Sequence, residues 1–255
     1  MSGVALFVVL TLRSRARRIV ALAAFGAVFL LAGATARLFT GGEHGHMELE
    51  PLFQLGGSTL VSALLLLGWL VGRFAIIATL VLLSGVFSED RDAGHARLFA
   101  VRPRSLVLLY AARAVVLTAC AFAMSALLLP AFDLILLRQW TGSTVFALIA
   151  AQVIVFSALT CLLSAITRAD AWAALFLGLV ALVWDALRRV DLLQQSPALM
   201  REAVSMLLPP QGALLRMEAA FGASAPVPLD AFLYVVIYGA LLYLLAAVAL
   251  TRREL

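Results

Sequence analysis

Apolar residues in this chain come in long uninterrupted runs, and charged residues sit almost entirely between them. A hydrocarbon core about 30 Å thick asks for roughly 20 apolar residues per helix. Six runs meet that length. Bounded by charge or turn residues, they predict spans over approximately residues 19–39, 62–87, 112–136, 143–167, 171–187 and 231–251. The second and third runs begin earlier, at Thr59 and Val107, so each exceeds one crossing, and the surplus lies at an interface or prolongs the helix. Ahead of the first span, Val4 to Leu12 is apolar and is followed by Arg13, Arg15, Arg17 and Arg18. A secretory signal has the opposite order, with charge first, and this run is too short to cross. It predicts an uncleaved interfacial helix feeding the first span. Between the fifth and sixth spans, residues 188–229 include VSMLLPPQGALLRMEAAFG, which is apolar at helical spacing but interrupted by Pro209 and Pro210. Those prolines exclude a full span. The segment is either a helix that dips into the outer leaflet and returns, or an amphipathic helix lying on the surface. The expected fold is all-α: one polytopic membrane domain over residues 1–255 with six transmembrane helices.

Composition agrees, with 64% hydrophobic residues, 13% charged residues and a mean hydropathy of +1.06. The charge content adds something less obvious. All 19 basic residues are arginine, because the sequence contains no lysine. A phosphate-cradling P-loop needs a lysine ammonium and a Schiff-base enzyme needs its amine, so neither is housed here. Nucleotide chemistry would have to belong to another subunit.

Arginine placement orients the spans, since cytoplasmic flanks retain basic residues. One side collects Arg13, Arg15, Arg17, Arg18, Arg91, Arg97, Arg102, Arg104, Arg113, Arg168, Arg252 and Arg253. The other holds Arg37, Arg138, Arg188, Arg189, Arg201 and Arg216 among a larger set of acids. Both termini are therefore expected on the cytoplasmic face of a cell membrane. The net charge of +5 reads as attraction to anionic lipid rather than as a nucleic-acid patch. Cys120 and Cys161 fall inside predicted spans without metal-ligand spacing and read as small packing residues.

The break between the second and third spans carries the most chemistry. It reads SEDRDAGHARLFAVRPRSLVLLYAAR from Ser88 to Arg113. Ser88 can cap a helix whose first turn holds Glu89, Asp90 and Asp92 at the positive end of the dipole, and Pro103 ends the element. Any loop between spans is charged, because lipid excludes charge. That does not account for apolar Leu98, Phe99 and Val101, which stay exposed unless a protein or the membrane surface covers them.

This stretch resembles the cytoplasmic coupling helix of type-2 ATP-binding-cassette (ABC) transporter permeases. In that family an acid precedes a glycine, an apolar pair follows, then a Pro-x-Ser turn, and a basic residue opens the next span. The counterparts are Glu89 or Asp90, Gly94, Leu98 with Phe99, Pro103 with Ser105, and Arg113. The chain departs from the usual Gly-Thr at Gly94-His95, and Arg113 replaces the usual lysine while keeping its charge. The six-span layout, the interfacial helix and the Pro-interrupted outer segment are also similar to that family. The resemblance implies an ATPase-coupling surface of Glu89, Asp90, Asp92, Gly94, Leu98, Phe99 and Pro103. It also implies two kinds of partner, a separate ABC ATP-binding subunit and a second permease, as a homodimer or a heterodimer.

Two polar features lie away from that loop. Arg73, in GWLVGRFAII, precedes Phe87 by 14 residues, roughly 21 Å along a helix, which puts it in the outer half of the bilayer. It either snorkels to outer headgroups or meets a carboxylate on a translocation path. Asp133 reaches a comparable level and is the candidate partner. His44 and His46 stand among Glu43, Glu48 and Glu50, but two histidines in a glycine-rich loop read as a solvated acidic segment rather than a metal site.

The functional expectation is the permease subunit of an ATP-driven transporter, an exporter, with no catalytic residue and no cofactor of its own. The alternatives are a membrane-embedded enzyme and a non-transporting assembly subunit. The fragment Asp92-Ala-Gly-His-Ala-Arg97 is similar to part of the CDP-alcohol phosphotransferase motif, but Ala93 stands where that motif has glycine. No acid follows until Asp133, leaving no carboxylates to hold the metal such a transferase needs. Intramembrane proteolysis lacks both a GxSG and a histidine within a span.

Overall fold

A computed structural model describes residues 3–40, 69–89, 106–137, 140, 142–190 and 197–254. Among these residues there are helices and turns and no strands. In chain order the helices are α1 (Gly3–Ser14), α2 (Ala16–Thr40), α3 (Phe74–Leu83), α4 (Leu106–Leu137), α5 (Thr144–Ile166), α6 (Asp170–Arg189), α7 (Ala198–Leu207), α8 (Gln211–Gly222) and α9 (Leu229–Glu254). Five of them, α2, α4, α5, α6 and α9, are long and apolar enough to cross a membrane. They fall on the first, third, fourth, fifth and sixth predicted spans. The chain is an all-α polytopic membrane protein.

Its helices form for the reason the runs predict: in hydrocarbon a backbone N–H or C=O has no water to bond, and only the helix pairs them all locally. Length alone does not decide which helix is central. In α5, 72% of the span is buried, against 22% in each of α2, α6 and α9. One side of α5 packs on α6, α8 and α9 through Leu148, Val155, Phe156, Ala213, Met217 and Val235. Another meets α2, α3 and α4 through Phe29, Ala75, Leu129 and Ile149. The outer helices keep large apolar residues exposed, among them Leu31, Trp172, Phe176 and Leu244, as a lipid-facing surface requires. A small residue sets the closest approach. At Gly239 on α9, an added Cβ would lie 2.5 Å from the Ile154 Cγ2 of α5, so only glycine lets these helices approach so nearly. Ser157 and Tyr243 then bridge the same pair at 2.6 Å.

The N-terminal segment is a separate helix. α1 ends at Ser14, where the Arg15 N–H turns back to the Leu12 carbonyl, and α2 then begins.

The second span departs from a continuous helix over 62–87. Its described part, from residue 69, has one helical turn to Gly72, a turn at Arg73, the short α3, and a bend over 84–87. The apolar run continues through Val86 and Phe87, but Gly85 takes a φ of +71° and ends the helix in the left-handed conformation. Residues 188–229 divide at the predicted prolines: α7 buries nothing, whereas α8 buries Gln211, Ala213, Leu214 and Met217 against its neighbours. The second half of this segment is thus an integral part of the bundle rather than a surface helix.

Candidate functional site

Two polar clusters stand out, one at each end of the bundle. The first is built around the bend. Four carbonyls at the end of a helix lack intrahelical partners, and α3 ends inside the protein. Arg18 satisfies two, donating to Val81 O at 3.2 Å and Ser84 O at 2.5 Å, with its charge at the negative end of the helix dipole. The buried N–H groups of the bend find acceptors on the opposite side. Gly85 N–H donates to Asp170 Oδ2 at 2.8 Å, and the Phe87 and Ser88 N–H groups share Ser164 Oγ at 3.1 and 3.2 Å. Asp170 is 2% exposed and sits at the start of α6, where its other oxygen accepts from the Ala171 N–H at 2.7 Å. The bend is therefore held from three helices, α2, α5 and α6.

Glu89 closes the cluster. Its carboxylate meets Arg15 Nη1 at 2.9 Å and Arg18 Nη2 at 2.5 Å. Arg15 is nearly inaccessible at 3% while Glu89 is 49% exposed, so the pair runs from the interior to the surface. Burial lowers the Arg15 pKa, and the hydrogen bond that Arg15 donates to Glu89 opposes that shift. For Glu89, burial works to raise the pKa, but hydrogen bonds and charge from Arg15 and Arg18 outweigh it and hold the carboxyl below its ordinary value. The helix that Ser88 was expected to cap lies outside the described residues. Helical geometry already includes 88–89, and the Ser88 hydroxyl points to Asp170 Oδ2 at a long 3.5 Å. Of the residues expected to form a coupling surface, Glu89 lies here, bonded within the chain. Asp90, Asp92, Gly94, Leu98, Phe99 and Pro103 lie outside the described residues, as do His44 and His46.

The second cluster surrounds Arg73. The turn there sends the Ile76 N–H to the Arg73 carbonyl, leaving the Gly72 carbonyl to accept from Gln152 Nε2 at 3.3 Å. Arg73 itself makes a two-pronged pair with Glu218 of α8: Nη1 meets Oε1, and Nη2 meets Oε2 at 3.1 Å. Gln152 Nε2 also donates to Glu218 Oε1 at 3.3 Å, and the Trp69 ring lies 5.9 Å from the guanidinium. Gln152 lies eight residues beyond Thr144, roughly 12 Å along α5 at about 1.5 Å per residue, which gives the depth to which α8 carries its carboxylate. The partner of Arg73 is thus Glu218 and not Asp133. Asp133 sits near the C-terminal end of α4.

Sequence reasoning missed Glu218, Gln152, Asp170 and Ser164. Two of these left a signal: Gln152 is a lone amide in an apolar run, and Glu218 is a lone acid in the apolar stretch after the proline pair. Among the described residues no group of three or more His, Cys, Asp or Glu could hold a metal, and both cysteines are free. Both clusters hold charged side chains and turn backbone in place between helices. Comparison with protein-family models, curated proteins and solved structures finds no match.

Proposed function

We propose that the chain is the membrane-spanning permease subunit of an ATP-driven transporter of the type-2 ABC class, working as an exporter with a second permease and a separate ATP-binding subunit. The bend at Ser84–Glu89 is the observation that supports this best. A loop that relays force from a soluble motor needs a stiff root, because slack in a linker absorbs displacement. Here the root is bonded to α2 through Arg18 and to α5 and α6 through Ser164 and Asp170. Motion of the segment that follows Glu89 is therefore shared among several spans at once. On this reading the arginine-rich end and both termini face the cytoplasm, and the Arg73–Glu218 pair lies toward the outside. The absence of lysine from the sequence assigns ATP hydrolysis to the partner.

The test is at Leu98 and Phe99. Aspartate at either places an unpaired charge in the docking contact, at a cost of several kcal/mol where desolvation is complete. Arg97→Ala, on a solvated rim, costs under about 1 kcal/mol. The chain is purified from its native membrane with its associated proteins. Leu98→Asp and Phe99→Asp insert at normal levels but lose both the co-purifying ATPase and transport. Full retention of both by both variants overturns the proposal.

A further inference from the structure

A cleft of about 430 Å³ opens at the Glu218 end of the bundle, between the C-terminal turns of α6, the proline hinge joining α7 to α8, and the second turn of α9. Its volume lies within the range of small-ligand sites, about 300–1,000 Å³. Its walls carry Arg188, Arg189, Arg216, Asp185, Trp184 and Tyr234. Three guanidinium groups thus face one carboxylate, a balance of +3 − 1 = +2 on the cleft walls. Neighbouring acids only partly answer that charge. Asp185 pairs with Arg189 at 2.9 Å, and Asp230 with Arg216 at 2.7 Å. Arg188 has no acidic partner among the described residues. The Trp184 indole N–H is buried and also lacks an acceptor. Gln211 and Gly212, at the N-terminus of α8, add the positive end of a helix dipole to the same wall.

The surroundings of the cleft are apolar. α7 is amphipathic and buries no residue, presenting Leu199 and Leu207 at 82% and 80% exposure. Leu179 and Val183, in the half of α6 nearer the cleft, are more than half exposed on its lipid-facing side. A cationic cleft at the rim of a membrane bundle, bordered by exposed apolar side chains and by Trp and Tyr, matches an amphiphile with an anionic head and apolar chains. We propose that this cleft binds the phosphate-bearing headgroup of an anionic lipid. Arg188 and Arg216 make the charge-assisted bonds to the phosphate, and the acyl chains lie along α6 and α7. The inference is independent of the transport reading. It differs from general attraction of lipid to the arginine-rich end, since it places a defined site at the opposite end.

Native mass spectrometry of the full chain released from phosphatidylcholine nanodiscs, with and without phosphatidylglycerol, tests it. Wild-type protein retains phosphatidylglycerol over phosphatidylcholine, and Arg188→Gln with Arg216→Gln weakens that retention about tenfold or more. Arg17→Gln, on the arginine-rich end, leaves it unchanged. Inorganic phosphate and glycerol phosphate, added as soluble competitors, separate the two sources of the same chemistry. Competition only at concentrations far above those of the lipid supports a headgroup held with its chains. Displacement by free phosphate at comparable concentration overturns the lipid assignment. Retention by the double variant equal to wild type, or a loss produced equally by Arg17→Gln, overturns the site.

Discussion

Replacing Glu218 by glutamine removes the only counter-charge that the described structure offers Arg73 while keeping the side chain's size. The two side chains are 18% and 25% exposed, so solvent screens their attraction weakly, and the bond is two-pronged. Breaking a buried pair by removing one partner costs about 3–5 kcal/mol, because the remaining charge is stranded. The Trp69 face at 5.9 Å returns about 0.5–2 kcal/mol of cation–π attraction. The expected loss for Glu218→Gln is therefore about 3 kcal/mol, and Arg73→Gln, which strands the carboxylate beside Gln152, costs a similar amount. The double variant removes both charges together, so it should be at least about 2 kcal/mol more stable than the sum of the single effects. Reversible denaturation by SDS in mixed micelles, followed by tryptophan fluorescence, gives all three values. Additivity within about 0.5 kcal/mol would show that the pair is no energetic unit, and the reasoning that places Glu218 in the bundle as a partner for Arg73 would fail.

Other expectations bear on the bend, the central helix contact and the division of labour. Gly85→Ala forces a left-handed φ of +71° on a residue with a Cβ and puts that carbon 2.3 Å from Glu89 Oε1. The backbone cost alone is about 1–2 kcal/mol, and the displaced Glu89 loses its arginines, which the same denaturation assay and the protease sensitivity of the following loop report. Because Arg15 and Arg18 hold the Glu89 pKa below its ordinary value of 4.5, the clamp's contribution is complete above about that pH. It is lost as pH falls through the lower folded-state value, so Glu89→Gln should flatten the acid limb of the stability profile. Equal acid limbs in the two proteins would remove the clamp as its cause. Gly239→Ala drives a Cβ to 2.5 Å from Ile154 Cγ2 and should destabilise by about 1–3 kcal/mol, with Ile154→Ala restoring part of the loss. The purified chain should hydrolyse no ATP, and hydrolysis that survives rigorous removal of contaminants would contradict the assignment of that step to a partner.

Membrane class, the approximate positions of five of the six expected spans, and the proline break were legible in the sequence because each depends on a local requirement. A helix in hydrocarbon satisfies its own backbone, so a run of the right length announces itself without reference to any neighbour. The break at Pro209 and Pro210 is equally local, since a missing N–H acts wherever the proline stands. What the tertiary structure decided is which helices touch and which sides they turn to one another. α5 and α9 are equally hydropathic, yet 72% of one span and 22% of the other are buried, because lipid and protein interior are alike apolar and a hydropathy pattern does not separate them. For the same reason the partner of Arg73 was not readable from the sequence. Asp133 was the expected partner, and only the packing of α8 beside α5 brought Glu218 to the guanidinium. The bend at Gly85 was hidden because Val86 and Phe87 prolong the apolar run, while the groups that hold it come from residues up to 85 positions away in the chain. Distances of that kind are set by packing, which a single chain's local chemistry constrains but does not choose.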